Sequence, residues 1–248
     1  MIQKIKLPLS MFFFSMALIA SPEEDGTAIL QKIDKNMYSE SIIMEGKMIV
    51  YTKRSSREIC SKSYTRGELD AFTEYLSPER EKGTKMLKLN DRLWIYSPMT
   101  DRTIQISGHM LRQSVMGSDL SYEDMMEKRK LEQVYTSTIE GTEEIEGRKC
   151  LVLSLKAKVE DVAYHSRKIW VDEERNVPLR EDLFAKSGQL LKRTLLSDIT
   201  KIGRRWYPKK INYKDMLKKG KGTDFIVQNI QFDVKTEDRI FSKASLTK

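Results

Sequence analysis

Reactive groups are scarce in this 248-residue chain, which has two cysteines and two histidines. Cys60 and Cys150 lie far apart in the sequence and match no metal-ligand spacing. They could pair in an oxidising compartment or stay as separate buried thiols. His109 and His165 cannot supply a histidine-based metal site without several carboxylates, and there is no HExxH or CxxC. No GxSxG elbow supports a serine nucleophile. The GKGTD at 220–224 lacks the spacing of a phosphate loop. Glu123 and Asp124 follow a serine and sit near Asp119, which reads as carboxylates at a helix start rather than a catalytic pair. Catalysis is therefore disfavoured, and neither a metal nor a cofactor is expected.

The sequence also lacks an apolar run long enough to cross a bilayer comfortably. The run from Leu7 to Ile19 is too short for that. It follows Lys4 and Lys6 and ends at Ala20, ahead of the polar Ser21-Pro22-Glu23-Glu24-Asp25, the layout of a secretory signal peptide cut after Ala20. No cysteine near the cut can receive lipid, so the expectation is a soluble exported protein: residues 1–20 signal peptide, residues 21–248 one domain. Loss of Lys4 and Lys6 would lower the formal charge from +8 to +6. The basic excess is scattered in small clusters such as Arg204-Arg205 and Lys218-Lys219, which mark strand ends and turns. Nucleic acid is not an expected partner; weak attraction to anionic lipid headgroups is compatible with the charge.

What the chain does have is alternation. After a short amphipathic helix at Gly26–Asn36, apolar and polar residues alternate in runs of strand length. The runs are Gly46–Lys53, Glu58–Tyr64, Asp70–Tyr75, Lys85–Leu89, Leu93–Tyr96 and Thr103–Ile106, then Gln133–Ile139, Cys150–Lys156, Tyr164–Val171, Leu179–Phe184, Leu190–Leu196, Lys209–Tyr213 and Phe225–Val234. Turn residues such as Asn90-Asp91-Arg92 and Lys186-Ser187-Gly188 separate them. About a dozen strands at hairpin spacing, without βαβ alternation, repeat or linker, imply one antiparallel sheet, strongly curved or closed.

One stretch breaks the alternation. In MLRQSVMGSDLSYEDMM, Met110–Met126, the apolar residues Met110, Leu111, Val115 and Met116 recur at helical spacing before Gly117 interrupts. The expectation is two short helices divided at Gly117, with Ser118 or Asp119 capping the second. Methionine is unbranched and adapts to irregular apolar shapes, which suits a lid over a concave sheet. Plain helix-on-sheet packing accounts for the same pattern.

Four segments together resemble a known family. NDRLWIYSP, Asn90–Pro98, is similar to the Leu-Trp-hydrophobic-Tyr-x-Pro hairpin of bacterial outer-membrane lipoprotein-sorting proteins, the LolA/LolB-like group. SGHMLRQSVMGSDLSYED, Ser107–Asp124, resembles the signature of the larger branch of that group; Trp170–Lys192 and Asp238–Leu246 fit in order. The resemblance implies a mainly β protein, a single unclosed antiparallel barrel of about 11–12 strands with short helices forming a lid over an apolar cavity. It also implies a periplasmic, monomeric carrier that takes lipid or lipoprotein acyl chains from an inner-membrane donor transporter to an outer-membrane acceptor. On this reading Met110, Leu111, Val115, Met116, Leu120, Met125, Trp94 and Tyr96 line the lid and cavity. Gly117, Ser118, Asp119, Tyr122 and Asp124 form the lid motif. Arg54, in Thr52-Lys53-Arg54-Ser55, stands nearest to the arginine that latches the lid in the lipoprotein carriers. A sensory or accessory module of the same fold, binding a membrane-protein partner, is the alternative that the branch allows.

Overall fold

The computed structural model describes residues 25–247, so the signal-peptide reading of residues 1–20 lies outside the described residues. Thirteen strands form one antiparallel sheet: β1 Ser41–Tyr51, β2 Ser56–Arg66, β3 Asp70–Ser77, β4 Lys85–Leu89, β5 Arg92–Ser97, β6 Arg102–Ile106, β7 Tyr135–Ile145, β8 Arg148–Ala157, β9 Ser166–Asp172, β10 Pro178–Phe184, β11 Leu190–Ile202, β12 Arg205–Asp215 and β13 Thr223–Phe232. Their lateral order is β6-β5-β4-β3-β2-β1-β13-β12-β11-β10-β9-β8-β7. The first and last strands pair in the middle, Ile42 opposite Phe232 and Val50 opposite Thr223. The two edges, β6 and β7, are consecutive in sequence and are joined by residues 107–134 rather than by a ladder. The sheet is therefore unclosed, and the segment that interrupts the alternation is what spans its gap.

Side-chain parity divides the sheet into an inner and an outer face. On β5, Leu93 and Ile95 pack inward with Val115, whereas Trp94 packs outward with Phe72, Leu87, Phe241 and Leu246 of the C-terminal segment. Along the inner face there are three zones. Helix α1, Gly26–Met37, is capped by the Asp25 carboxylate accepting from the Thr27 N–H, and it buries Ile29, Leu30 and Ile33 against Val134, Leu153, Leu155 and Ile169. At the other end, residues 108–126 cover Met48, Val50, Ile59, Met86, Leu93, Ile95 and Ile106. Full burial of side chains of this size is worth about 1.5–3 kcal/mol each. Between these packed ends lies an open cleft over β9–β12, β1 and β2. Gly46 shapes the packed end: a Cβ there would fall 2.4 Å from the Phe225 ring, so glycine lets that ring lie against β1 at the bulge between Glu45 and Gly46.

Candidate functional site

The covering segment is less helical than its periodicity predicts. Residues 108–112 and 115–117 form 3₁₀ turns, and one regular turn follows, α2, Tyr122–Met126. The break at Gly117 has a backbone cause, since Met116 and Gly117 both hold positive φ, 51° and 70°. The cap of α2 is Ser121 rather than Ser118 or Asp119. Its hydroxyl accepts from the Asp124 N–H while the Asp124 carboxylate accepts from the Ser121 N–H, a reciprocal capping box. Ser118 is buried and its hydroxyl accepts from the Leu120 N–H. Asp119 is occupied elsewhere, as follows.

Three polar contacts fasten the segment to the sheet. Asp119 accepts from the Asp215 N–H at 2.9 Å and from the Thr223 hydroxyl at 3.1 Å, and its own N–H donates to that hydroxyl at 3.0 Å, which ties the segment to β12 and β13. Asp124 accepts from the Tyr164 hydroxyl at 2.6 Å and pairs with the Lys192 ammonium on β11. Burial alone would raise the Asp124 carboxyl, but the ammonium beside it and the donors around it hold it below the usual carboxylate range. The same burial and the neighbouring carboxylate push the Tyr164 phenol up. The third contact is made by Arg57, three residues beyond the Arg54 expected to latch the lid. Arg54 is exposed in the β1–β2 turn, while the Arg57 guanidinium donates to the Met116 carbonyl and pairs with Glu81 at 3.5 Å. Arg57 on β2 faces the segment; Arg54 belongs to the turn, where the backbone bonds to Thr52.

The expected lining residues separate into groups. Met110, Leu111, Val115, Met116, Leu120 and Met125 all join the packed cluster over β1–β6, together with Tyr122 of the lid motif. Of these, Leu120 also reaches the cleft. Trp94 lies on the outer face under the Lys243 ammonium, and Tyr96 donates its hydroxyl to Asp101. Neither meets the cleft, because β5 turns its odd-numbered residues inward.

The cleft comprises two adjoining cavities of about 250 and 360 Å³, which share a wall that includes Met37, Leu131, Arg167, Glu181, Ile211 and Tyr213. The lining is amphipathic rather than uniformly apolar. Leu183, Leu196, Ile211 and Val134 contribute hydrocarbon, and acids and bases stand among them in pairs. Glu127 takes a two-pronged grip from Arg129 at 2.9 and 2.6 Å, and Asp124 pairs with Lys192. Arg167 and Glu181 face each other at 3.8 Å. Asp34 of α1 accepts from the Leu131 and Glu132 N–H groups and so fixes the start of α3, Leu131–Val134, at the cleft's rim. Sequence reading missed Arg167 and Glu181. A signal was present: Arg167 shares the inward parity of Ile169 and Val171, so a charge recurs on an otherwise apolar row.

Cys60 and Cys150 are both free thiols, on β2 and β8; burial pushes the Cys150 thiol up to about 11. Among the described residues no cluster of three or more His, Cys, Asp or Glu could hold a metal, and no helix is long and apolar enough to cross a membrane.

No curated protein matches the sequence. A family model described as an uncharacterized protein matches residues 67–248. Among solved structures, a DUF1329 family protein from Desulfovibrio piger is 24% identical, with a TM-score of 0.80 over 89% of this chain and 97% of its own. A domain named for outer-membrane lipoprotein sorting, from Vibrio parahaemolyticus, is 20% identical, with a TM-score of 0.77 over 90% of this chain and 98% of its own. A LolA superfamily protein from Nitrosomonas europaea is also 20% identical, with a TM-score of 0.75 over 90% and 100%. At these identities the likeness establishes the fold: a mainly β, unclosed antiparallel sheet of the LolA kind with three short helices.

Proposed function

The chain belongs to the family of uncharacterized proteins whose model spans residues 67–248, and from that premise we propose that it is a periplasmic carrier of lipid or lipoprotein acyl chains, passed from an inner-membrane donor to an outer-membrane acceptor. The observation that carries this reading is the cleft itself. Two adjoining cavities, together in the size range of small-molecule sites, lie between a curved sheet and a cover fastened by a few side chains. Burial of an acyl chain contributes roughly 0.8 kcal/mol per CH₂, so a cover that opens is needed for release as much as for entry. Asp119, Asp124 and Arg57 are the fastenings that would have to let go. The LolA-like fold and two solved relatives, one named for lipoprotein sorting and one for the LolA superfamily, support the same reading. It assigns no catalytic step.

Native mass spectrometry and organic extraction of the purified protein are the direct test. Co-purifying lipid, or saturable binding of a fluorescent fatty acid, is expected; protein that is lipid-free and ignores the probe would overturn the carrier reading. A second reading, an accessory module that binds a membrane-protein partner, draws on the apolar packing beneath residues 110–120. It requires the probe to be ignored while partner binding persists.

A further inference from the structure

Within the cleft, the ionic groups are not equally satisfied. Asp124 has Lys192, Tyr164 and Ser121 as donors, and Glu127 holds Arg129 in a two-pronged pair. The third couple is looser. The Arg167 Nη1 stands 3.8 Å from the Glu181 carboxylate, beyond hydrogen-bond length, with both side chains mostly buried, 13% and 16% exposed. The Arg167 Nε is buried and has no hydrogen-bond partner among the described residues. A buried guanidinium N–H left unmade is costly, and structures that retain one usually fill it with water, ion or ligand. Its position suits a ligand. Arg167 lies at the junction of the two cavities, against the rings of Tyr135 at 4.7 Å and Tyr164 at 5.9 Å, with hydrocarbon walls leading away past Leu183, Leu196 and Ile211. Burial raises the Glu181 carboxyl, which weakens its hold as the resident anion.

We infer that Arg167 is a headgroup subsite: the cargo is an amphiphile with an acidic head, carboxylate or phosphate, that accepts from the Arg167 guanidinium at the cavity junction while its chain lies along Leu183, Leu196 and Ile211. The planar fork of arginine matches both heads and grips them with two parallel hydrogen bonds. Glu181 takes up a proton as the head arrives, so the subsite exchanges one anion for another and leaves no buried charge unpaired. This rests on the carrier reading and narrows it from acyl chains in general to anionic ones.

The test is fluorescence titration of the full chain with cis-parinaric acid and with its methyl ester, at pH 8 where the acid is ionised. The acid is expected to bind about tenfold or more tightly than the ester, the scale of one charge-assisted pair. Arg167→Met should bring the acid down to the ester's affinity and leave the ester unchanged, and Glu181→Gln should tighten the acid alone. Competition by oleate and by lysophosphatidylglycerol separates the two heads: the stronger competitor names carboxylate or phosphate. Equal affinity for acid and ester in the unmodified protein, or an acid preference that survives Arg167→Met, overturns the subsite while leaving a carrier. Binding of neither probe overturns the carrier and the subsite with it. Should Arg167→Met fail to fold, the acid-to-ester ratio of the unmodified protein and of Glu181→Gln decides.

Discussion

The two ends of the covering segment rest on different kinds of ground. Residues 108–120, with Val115 at their centre, sit on an apolar floor of Met48, Val50, Ile59, Met86, Leu93, Ile95 and Ile106, which Tyr122, Met125 and Met126 of the next turn also touch. Residues 120–131 overlook a hollow in which acids, bases and tyrosines stand among leucines. Apolar packing is roughly proportional to area and indifferent to pH, whereas a buried ion pair is strong only while both partners are charged and close. The difference teaches that the segment is held in two ways: by an apolar anchor centred on Val115 and, around Asp124, by a charged attachment that would serve as the gate of the proposed carrier.

The largest effect should come from breaking the gate's charge. Lys192→Met leaves the Asp124 carboxylate buried beside Tyr164 without its cation, and a loss of about 3–5 kcal/mol is expected in urea unfolding. Asp124→Asn in the same chain should recover much of it, because the orphaned charge is gone. The pair also sets a pH dependence. The folded Asp124 carboxyl titrates below its unfolded value, so the stabilisation is present above that unfolded value near pH 4 and is lost as pH falls through the lowered folded one. Hydrogen-exchange protection at 121–127, corrected for the intrinsic rate at each pH, should fall on acidification before protection at 110–116 does.

Next in size is the anchor. Ile59→Ala opens a void under Val115 and should cost about 2–5 kcal/mol with little dependence on pH. Similar acid sensitivity in Ile59→Ala and Lys192→Met would erase the distinction between the two ends. Asp119→Ala removes acceptors for the Asp215 N–H and Thr223 hydroxyl and should cost about 1–3 kcal/mol, read as thermal midpoint. The smallest contrast is between two arginines. Arg57→Ala should cost about 1 kcal/mol through the Met116 carbonyl, with its partly exposed pair to Glu81 adding little. Arg54→Ala should stay within about 0.5 kcal/mol, as an exposed turn residue.

Much of this frame was legible as sequence. Each of the thirteen alternating runs overlaps a strand, and Lys85–Leu89 is bounded as read, because turn residues flank it closely. The errors have local causes. Strand β1 begins at Ser41, where Ile42-Ile43-Met44 gives three apolar residues in a row and so no alternation to detect. Helix α3 is four residues long and owes its start to Asp34, far back in the chain, so no local signal announces it. For the site, the limit was parity. Leu93-Trp94-Ile95-Tyr96 is apolar on both faces, and sequence alone does not say which pair turns inward. Arg54 and Arg57 pose the same problem at a turn, where the parity that decides which arginine faces the segment depends on where the strand begins.

The pairing of β1 with β13 in the middle of the sheet leaves the gap between β6 and β7, and that arrangement has a mechanical consequence. A closed barrel has a fixed circumference, so a thicker cargo would have to tear a ladder of backbone hydrogen bonds. Here no strand pairing among the described residues crosses the seam, and the covalent strap 107–134 bridges it. For the proposed carrier this geometry would act as a sprung clip, letting the sheet unbend with its interstrand ladders intact while the length of the strap sets how far it opens.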